Sequence, residues 1–173
     1  SAKFLPQEYS LLHKIWALLG GDCRRAGVLD IGAGNANCAV LAAVMLDLTV
    51  VCVERESPRE ELRAEALLPQ DLRRRVVRLE SDVADLDAGT LREVAAAHGL
   101  ERLVLVAKHP CGIGADRSIA CAARLRSAGA GAAGGPALLG AVLATCCTNK
   151  LSQDDFRVSR VAEYCDLYAG DLP

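Results

Sequence analysis

The chain has 173 residues, which is enough for one α/β domain with a buried core. Hydrophobic residues make up 51% of it, so the sequence is not that of a disordered segment. Aromatic residues make up only 3%, too few for a repeated base-stacking surface. The net charge of −2 also differs from the basic balance of an autonomous nucleic-acid binder.

The predicted elements alternate between strands and helices along the chain. A leading helix is expected over residues 5–19, where apolar side chains recur at helical spacing. Five short apolar runs then lack strict alternation, which is typical of strands buried on both faces. The strands are predicted at 27–31, 48–53, 75–79, 102–107 and 140–145, and the helices between them at 37–47, 58–68, 90–98 and 116–127.

Two of these helices begin with local signals. Ser57 is a good N-cap before Pro58, and Thr90 is a second candidate N-cap. The Gly- and Ala-rich segment 128–136 is predicted to be a loop. Together the elements predict one α/β domain over residues 1–173, with its leading helix within 1–26. The sheet is expected to be parallel in the order 3-2-1-4-5, with helices on both faces.

The strongest local signal is a glycine turn after the first strand. Asp30 ends this strand, and Gly32, Ala33 and Gly34 open the following helix. A dinucleotide site would need Gly or Ala at the sixth motif position, where this chain has Asn37. A carboxylate beside the turn is unfavourable for a pyrophosphate but favourable for a cationic amino group. The turn therefore favours S-adenosylmethionine over NAD as the cofactor.

Two further carboxylates follow the next strands. Glu54 ends the second strand and can accept hydrogen bonds from ribose hydroxyls. Asp82 follows the third strand, where it can accept a hydrogen bond from the adenine amine. Alternatively, Glu54 pairs with Arg55 or Arg59 on the surface, and Asp82 is an ordinary helix cap.

The basic run of the chain has two interpretations. It could form a local nucleic-acid patch, but a solvated helix end running into a strand is the favoured one. The run consists of Arg73, Arg74, Arg75 and Arg78.

The eight cysteines show no Cys-x-x-Cys pair or Cys/His knuckle spacing, which predicts no zinc site. We also predict no disulfide, since so many thiols suit a reducing compartment such as the cytosol or nucleus. No signal peptide or apolar run of membrane-spanning length is found, so no membrane partner is expected.

The fourth strand ends with a second chemical signal. Lys108 and His109 are adjacent there, in a chain with three histidines. In this topology the carboxyl ends of strands 1 and 4 flank the point where ligands bind, so both side chains would face the transferable methyl group. They are candidates for proton transfer or substrate orientation. The alternative is a rim lysine and a histidine that caps the next helix.

At this point the sequence resembles a known family. The run Lys-His-Pro-Cys-Gly-Ile-Gly-Ala-Asp at 108–116, with Cys121 further on, is similar to the KHLCGxATD…C signature of eukaryotic tRNA 2′-O-methyltransferases that modify nucleotide 4 of the acceptor stem. The resemblance covers roughly residues 28–150. Further matching segments are Val53-Glu54-Arg55 with Arg59, Asp82-Val83 with Leu86, and Ala144-Thr145-Cys146-Cys147, which resembles the start of the family's AxCCHHRC motif.

The resemblance implies a Rossmann-like class I methyltransferase that acts on tRNA. Lys108, His109 and Asp116 would line the methyl-transfer site, and Cys146 and Cys147 its other wall. Lys108 or His109 would orient or deprotonate the ribose hydroxyl, and Cys146 as a covalent nucleophile is a disfavoured alternative. The sulfonium supplies the leaving group, so no metal is required. The predicted cofactor-binding residues are Asp30, Gly32, Ala33, Gly34, Glu54, Arg55, Asp82, Val83 and Lys108.

The chain departs from the family pattern at several positions. Thr148 and Asn149 replace its His pair, Lys150 and Leu151 replace Arg and Cys, and Pro110 replaces Leu. Zinc-binding modules are not matched, and the C-terminal strands of the sheet are expected to be shortened or missing. RNA docking could therefore depend on a partner domain or chain. The alternatives are a methyltransferase with a protein or small-molecule substrate, a catalytically silent binding module, and a nicotinamide oxidoreductase, which Asp30 and Asn37 disfavour.

Overall fold

The computed structural model describes residues 5–129 and 135–145. Within these ranges the elements follow the predicted alternation of strands and helices. The strands are β1 Ala26–Ile31, β2 Thr49–Glu54, β3 Val76–Glu80, β4 Arg102–Lys108 and β5 Ala137–Ala144, and the helices are α1 Leu5–Leu18, α2 Asn37–Leu46, α3 Gln70–Arg73, α4 Ala88–Ala97 and α5 Gly114–Gly129, with 3-10 helices at Glu60–Leu62 and Ala64–Leu67.

The five strands form one parallel sheet in the order β3-β2-β1-β4-β5, as predicted. Residues 27 to 31 of β1 pair with both β2 and β4, so β1 is a central strand. After β1 the chain places β2 and β3 on one side of this strand and then crosses over to place β4 and β5 on the other side. The carboxyl ends of β1 and β4 therefore lie side by side, which is the usual ligand-binding point of such a sheet.

Alternate residues of the strands pack into two separate cores. Val28 of β1 belongs to the core that includes α1 and α2, while Leu29 belongs to the core that includes α4 and α5. Their neighbours in register follow the same division: Val104 lies in the first core and Leu105 in the second. Both faces of the sheet are thus covered, which explains why the strands read as continuous apolar runs.

The predicted helix over 58–68 is wrong. Arg59 and Arg63 have extended backbone angles, and two short 3-10 helices take the place of one α-helix. The backbone N–H of Ala64 donates instead to the carbonyl of Asn35 at 2.8 Å. A tertiary hydrogen bond to the glycine turn therefore outweighs the local helix propensity of this segment.

Other boundaries also differ from the prediction. The side chain of Asp87 caps α4 by accepting from the backbone N–H groups of Gly89 and Thr90, so Thr90 is not the N-cap. An Asp three residues earlier satisfies the same free N–H groups at the helix start. Helix α5 continues to Gly129, so the expected loop does not begin at 128, and residues 130–134 lie outside the described ranges. No helix in the described residues is long and apolar enough to cross a membrane.

Candidate active site

The glycine turn after β1 has the backbone that its sequence predicts. Gly32 and Gly34 have φ angles of 69° and 54°, in the left-handed region that glycine adopts without strain. The N–H of Gly32 donates to the carbonyl of Val53 at 2.9 Å, which attaches the turn to β2. The turn therefore lies directly beside the carboxyl end of β2.

Glu54 reaches from the end of β2 to the glycine turn. Its Oε1 accepts a hydrogen bond from the backbone N–H of Gly34. Among the described residues Glu54 makes no ion pair with Arg55 or Arg59, which was the alternative interpretation. The carboxylate instead lies on the wall of a cavity, where it can accept hydrogen bonds from a ligand.

Arg78 of β3 supports the glycine turn through a hydrogen bond to its backbone. Its Nη1 donates to the carbonyl of Gly34 at 3.0 Å, while its Nε and Nη2 donate to the two carboxylate oxygens of Glu65 at 2.5 and 3.0 Å. The side chains of Arg78 and Glu65 are 12% and 7% exposed. This buried pair connects β3, the second 3-10 helix and the glycine turn.

Two further arginines of the basic run also form ion pairs. Arg73 pairs with Glu60 at 2.9 Å, and Arg75 pairs with Asp47 at 2.7 Å. These contacts support the favoured interpretation of the run as an element end. They do not support a concentrated nucleic-acid patch at this position.

A cavity of about 450 Å³, here called the edge cavity, opens at the carboxyl ends of the strands. Its volume is in the range of small-molecule and cofactor sites. It brings together the ends of β1, β2, β3 and β4 with the start of α5. The lining residues are Ile31, Gly32, Val53, Glu54, Arg55, Ser81, Asp82, Val83, Lys108, His109, Pro110, Cys111, Ile113, Gly114, Arg117 and Ser118.

Asp82 lies on the β3 side of the edge cavity and has two partners. Its Oδ1 accepts from the N–H of Ala84 at 2.9 Å, as a turn residue does. Its Oδ2 lies 3.4 Å from Nη1 of Arg117, which comes from the first turns of α5. Asp82 therefore stabilises a local turn and is not the helix cap of its alternative interpretation, because α4 begins at Ala88 with Asp87 as its N-cap, and Asp82 also lines the cavity.

Lys108 at the end of β4 forms a buried ion pair with α1. Its Nζ lies 2.6 Å from Oε1 of Glu8, and the two side chains are 19% and 7% exposed. His109 follows with a φ of 60°, and its N–H donates to the carbonyl of Ala144 at 2.9 Å. The hydrogen bond to the end of β5 anchors His109 at the sheet edge and maintains its unfavourable backbone conformation.

Asp30 lies beneath the turn and is 2% exposed. Burial raises its pKa from 3.8 to about 7, and the nearby charge of Lys108 opposes this shift. A buried carboxyl of this kind gains strongly from a cationic ligand. It is thus suited to the amino group that its sequence position suggested.

Two further pockets adjoin the edge cavity. One, the glycine pocket, has a volume of about 200 Å³ and includes Asp30 and Ala33. The other, the helix pocket, lies between α1, α2 and the 3-10 segment and has a volume of about 530 Å³. Lys108 and His109 line all three spaces, so they separate the edge cavity from the helix pocket.

One predicted catalytic residue does not line the edge cavity, and another lies outside the described residues. Asp116 lies in the first turn of α5, but this helix lines the edge cavity with Gly114, Arg117 and Ser118. Cys146 lies outside the described residues, as do Cys147 and the departures at 148–151. For these positions the roles remain predictions.

The sequence interpretation missed Glu8, Arg78 as a support of the turn, and Arg117. Glu8 had a detectable signal, since it lies on the stripe of α1 that also buries Leu11, Leu12 and Ile15. A carboxylate at that spacing on an apolar stripe indicates a buried partner. Arg117 carried no comparable local signal.

Comparison with known proteins decides the family. The family described as Methyltransferase TRM13 matches residues 8–167, which is most of the chain. The chain belongs to the TRM13 methyltransferase family. Among curated proteins no significant match is found.

The TRM13 match includes every strand of the sheet and all residues placed around the edge cavity. Among solved structures, the CcbJ methyltransferase from Streptomyces caelestis is similar at 24% identity with a TM-score of 0.46. The alignment covers 64% of this chain and 41% of that one, so the TRM13 chain matches about two fifths of the length of that structure.

Proposed function

We propose that this chain uses S-adenosylmethionine to methylate a ribose 2′-hydroxyl of tRNA. Membership of the TRM13 family supports methyl transfer, and the sequence resemblance to tRNA 2′-O-methyltransferases supports the substrate. The observation that carries the proposal is the convergence of Asp30, Glu54, Asp82 and Lys108 at one edge of the sheet.

The side chains present fit the cofactor by their chemistry. Asp30, in the glycine pocket, offers a buried carboxyl to the amino group. Glu54 offers carboxylate oxygens to ribose hydroxyls, and Asp82 is available to the adenine amine on the far wall. The bound cofactor would supply an activated methyl group with a neutral thioether as leaving group.

The acceptor hydroxyl is expected to approach from the helix pocket. This pocket is separated from the edge cavity by Lys108 and His109, so a group bound there would reach the same two side chains. Lys108 would orient the hydroxyl oxygen by donating a hydrogen bond from its Nζ, which the contact with Glu8 holds in place. His109 is the adjacent candidate for accepting the proton.

The experiment is transfer of radiolabelled methyl groups to total tRNA, followed by mapping of the labelled nucleotide. We expect labelled 2′-O-methylribose with the wild-type chain. Lys108→Met should lower turnover by roughly 10²–10⁴-fold, the usual range for a positioned acid–base or orienting group. Glu93→Gln, at an exposed position of α4, is the matched control and should retain wild-type turnover.

Label recovered in protein instead of RNA would contradict the proposed substrate. Equal turnover of Lys108→Met and wild type would remove Lys108 from the site.

A further inference from the structure

Glu8 is a charged side chain where an apolar one is expected. It lies on the buried stripe of α1 and is 5% exposed. Burying a carboxylate is unfavourable unless it is paired, and here its Oε1 lies 2.6 Å from Nζ of Lys108. The pair joins residues 100 positions apart in sequence, so it is a product of the tertiary fold.

Under the proposed function, the positive charge of Lys108 would repel a positively charged cofactor in this site. Lys108 lines the edge cavity, the glycine pocket and the helix pocket, so its charge lies close to every part of the proposed site. S-adenosylmethionine carries a positive sulfonium as well as a positive amino group. An ammonium on the cavity wall opposes such a ligand unless nearby carboxylates balance its charge.

Two buried carboxyl groups flank Lys108. Glu8 contacts it directly from α1, and Asp30 interacts with it electrostatically from the end of β1. Asp30 is the group suited to the amino group of the ligand, so it is not available to offset Lys108 fully. Glu8 also lines the helix pocket, where its carboxylate contacts Lys108 directly and is therefore placed to offset the lysine's charge.

We propose that Glu8 is a positioning residue that neutralises Lys108, so that a sulfonium cofactor is accepted beside an ammonium needed for the acceptor hydroxyl. This inference rests on the proposed function, because it assumes that the site binds S-adenosylmethionine. It predicts that Glu8 selects for the charge of the cofactor and not for its shape.

S-adenosylhomocysteine is the probe that separates charge from shape. It shares the adenosine and amino-acid parts of S-adenosylmethionine but has a neutral thioether in place of the sulfonium. Calorimetric titration of both ligands into the full chain gives the ratio of their dissociation constants. A residue that only supports the fold changes both constants together and leaves this ratio unchanged.

In Glu8→Gln the amide keeps the size of the side chain and an oxygen that can accept from Lys108. We expect its affinity for S-adenosylmethionine to fall by about tenfold relative to that for S-adenosylhomocysteine, a size set by like charges at a partly screened site. Combining it with Lys108→Met should return the ratio to the wild-type value. Glu93→Gln, on the exposed face of α4, should leave both constants unchanged.

An equal loss for both ligands in Glu8→Gln, or no loss for either, would overturn the inference. If that variant does not fold, Lys108→Met alone still tests it, since its preference for S-adenosylmethionine must rise. An unchanged ratio in folded Lys108→Met would then refute the role. Failure of both ligands to bind the wild-type chain is a different result, which overturns the proposed function itself.

Discussion

Asp30 shows how one buried side chain can couple stability, pH and ligand binding. Its burial at the end of β1 raises its pKa to about 7, whereas the ordinary value is 3.8. The folded chain therefore holds a proton on Asp30 that the unfolded chain releases near pH 4. The resulting stabilisation is fully present below about pH 4 and is lost as the pH rises through about 7.

The first prediction follows from this titration. In Asp30→Asn the unfolding free energy should lose this pH dependence, because an amide does not ionise. Relative to wild type, the variant should gain about 1–3 kcal/mol between pH 5 and pH 8. Urea denaturation at the two pH values measures the difference. Parallel pH profiles of the two proteins would show that Asp30 does not titrate in this range.

Glu54 is the second residue with a testable binding role. It contacts the glycine turn and faces the edge cavity, so it is placed between the backbone and the proposed ribose. Glu54→Ala should weaken S-adenosylmethionine binding by about 1–3 kcal/mol, the effect of losing charge-assisted hydrogen bonds. Calorimetry measures it, and an unchanged dissociation constant in a folded variant would exclude Glu54 from the site.

At the scale of elements, the pair of Arg78 and Glu65 fastens the 3-10 segment to the sheet. Burial alone would raise the pKa of Glu65. The hydrogen bonds from Arg78 have the larger combined effect with the nearby charges and hold this pKa below its ordinary value of 4.5. Its stabilisation is therefore present above about pH 4.5 and is lost as the pH falls. The same arginine supports the carbonyl of Gly34, so the segment and the turn are coupled.

The prediction at this scale compares a buried pair with an exposed one. Glu65→Gln should lower the unfolding free energy by about 3 kcal/mol at pH 7, because it leaves a buried guanidinium without its carboxylate. Glu60→Gln removes the partner of Arg73 at the surface, where the side chains are 67% and 45% exposed, and serves as the matched control. Its effect should stay below about 1 kcal/mol. If denaturant titrations gave the same loss of unfolding free energy for Glu65→Gln and Glu60→Gln, the buried pair would not be the stronger one.

At the scale of the whole molecule, the charge distribution bears on how the proposed tRNA substrate would be recognised. The net charge is −2, and three arginines of the basic run are paired with carboxylates. A chain that neutralises few phosphates binds nucleic acid weakly and with little salt dependence. We infer that docking of the proposed tRNA depends on a further domain or chain, and we propose the cytosol or nucleus as its location.

The corresponding prediction is weak binding of tRNA by the chain alone. We expect a dissociation constant above about 10 μM near 150 mM salt, within the range of non-specific contacts. Fluorescence anisotropy with labelled tRNA over a series of salt concentrations measures both affinity and salt slope. Tight binding with a steep slope would show that the chain carries its own phosphate-binding surface.

The sheet and the glycine turn could be predicted from the sequence because their signals are local. Apolar runs such as Val28-Leu29 and Val104-Leu105 indicate strands buried on both faces, and Gly32 and Gly34 indicate the turn between β1 and α2. Parallel strand order then brings Asp30, Glu54, Asp82 and Lys108 to one edge without any knowledge of side-chain contacts.

Only the tertiary structure shows the contacts between segments that are distant in sequence. The helix expected over 58–68 is replaced because Ala64 bonds to Asn35, and the partner of Lys108 is Glu8, 100 residues away. Periodicity and capping report the preferences of neighbouring residues, whereas these bonds form only after the sheet has brought remote segments together. The residues at the edge of the sheet can therefore be predicted from the sequence. The ion pairs that balance their charges are known only from the tertiary structure.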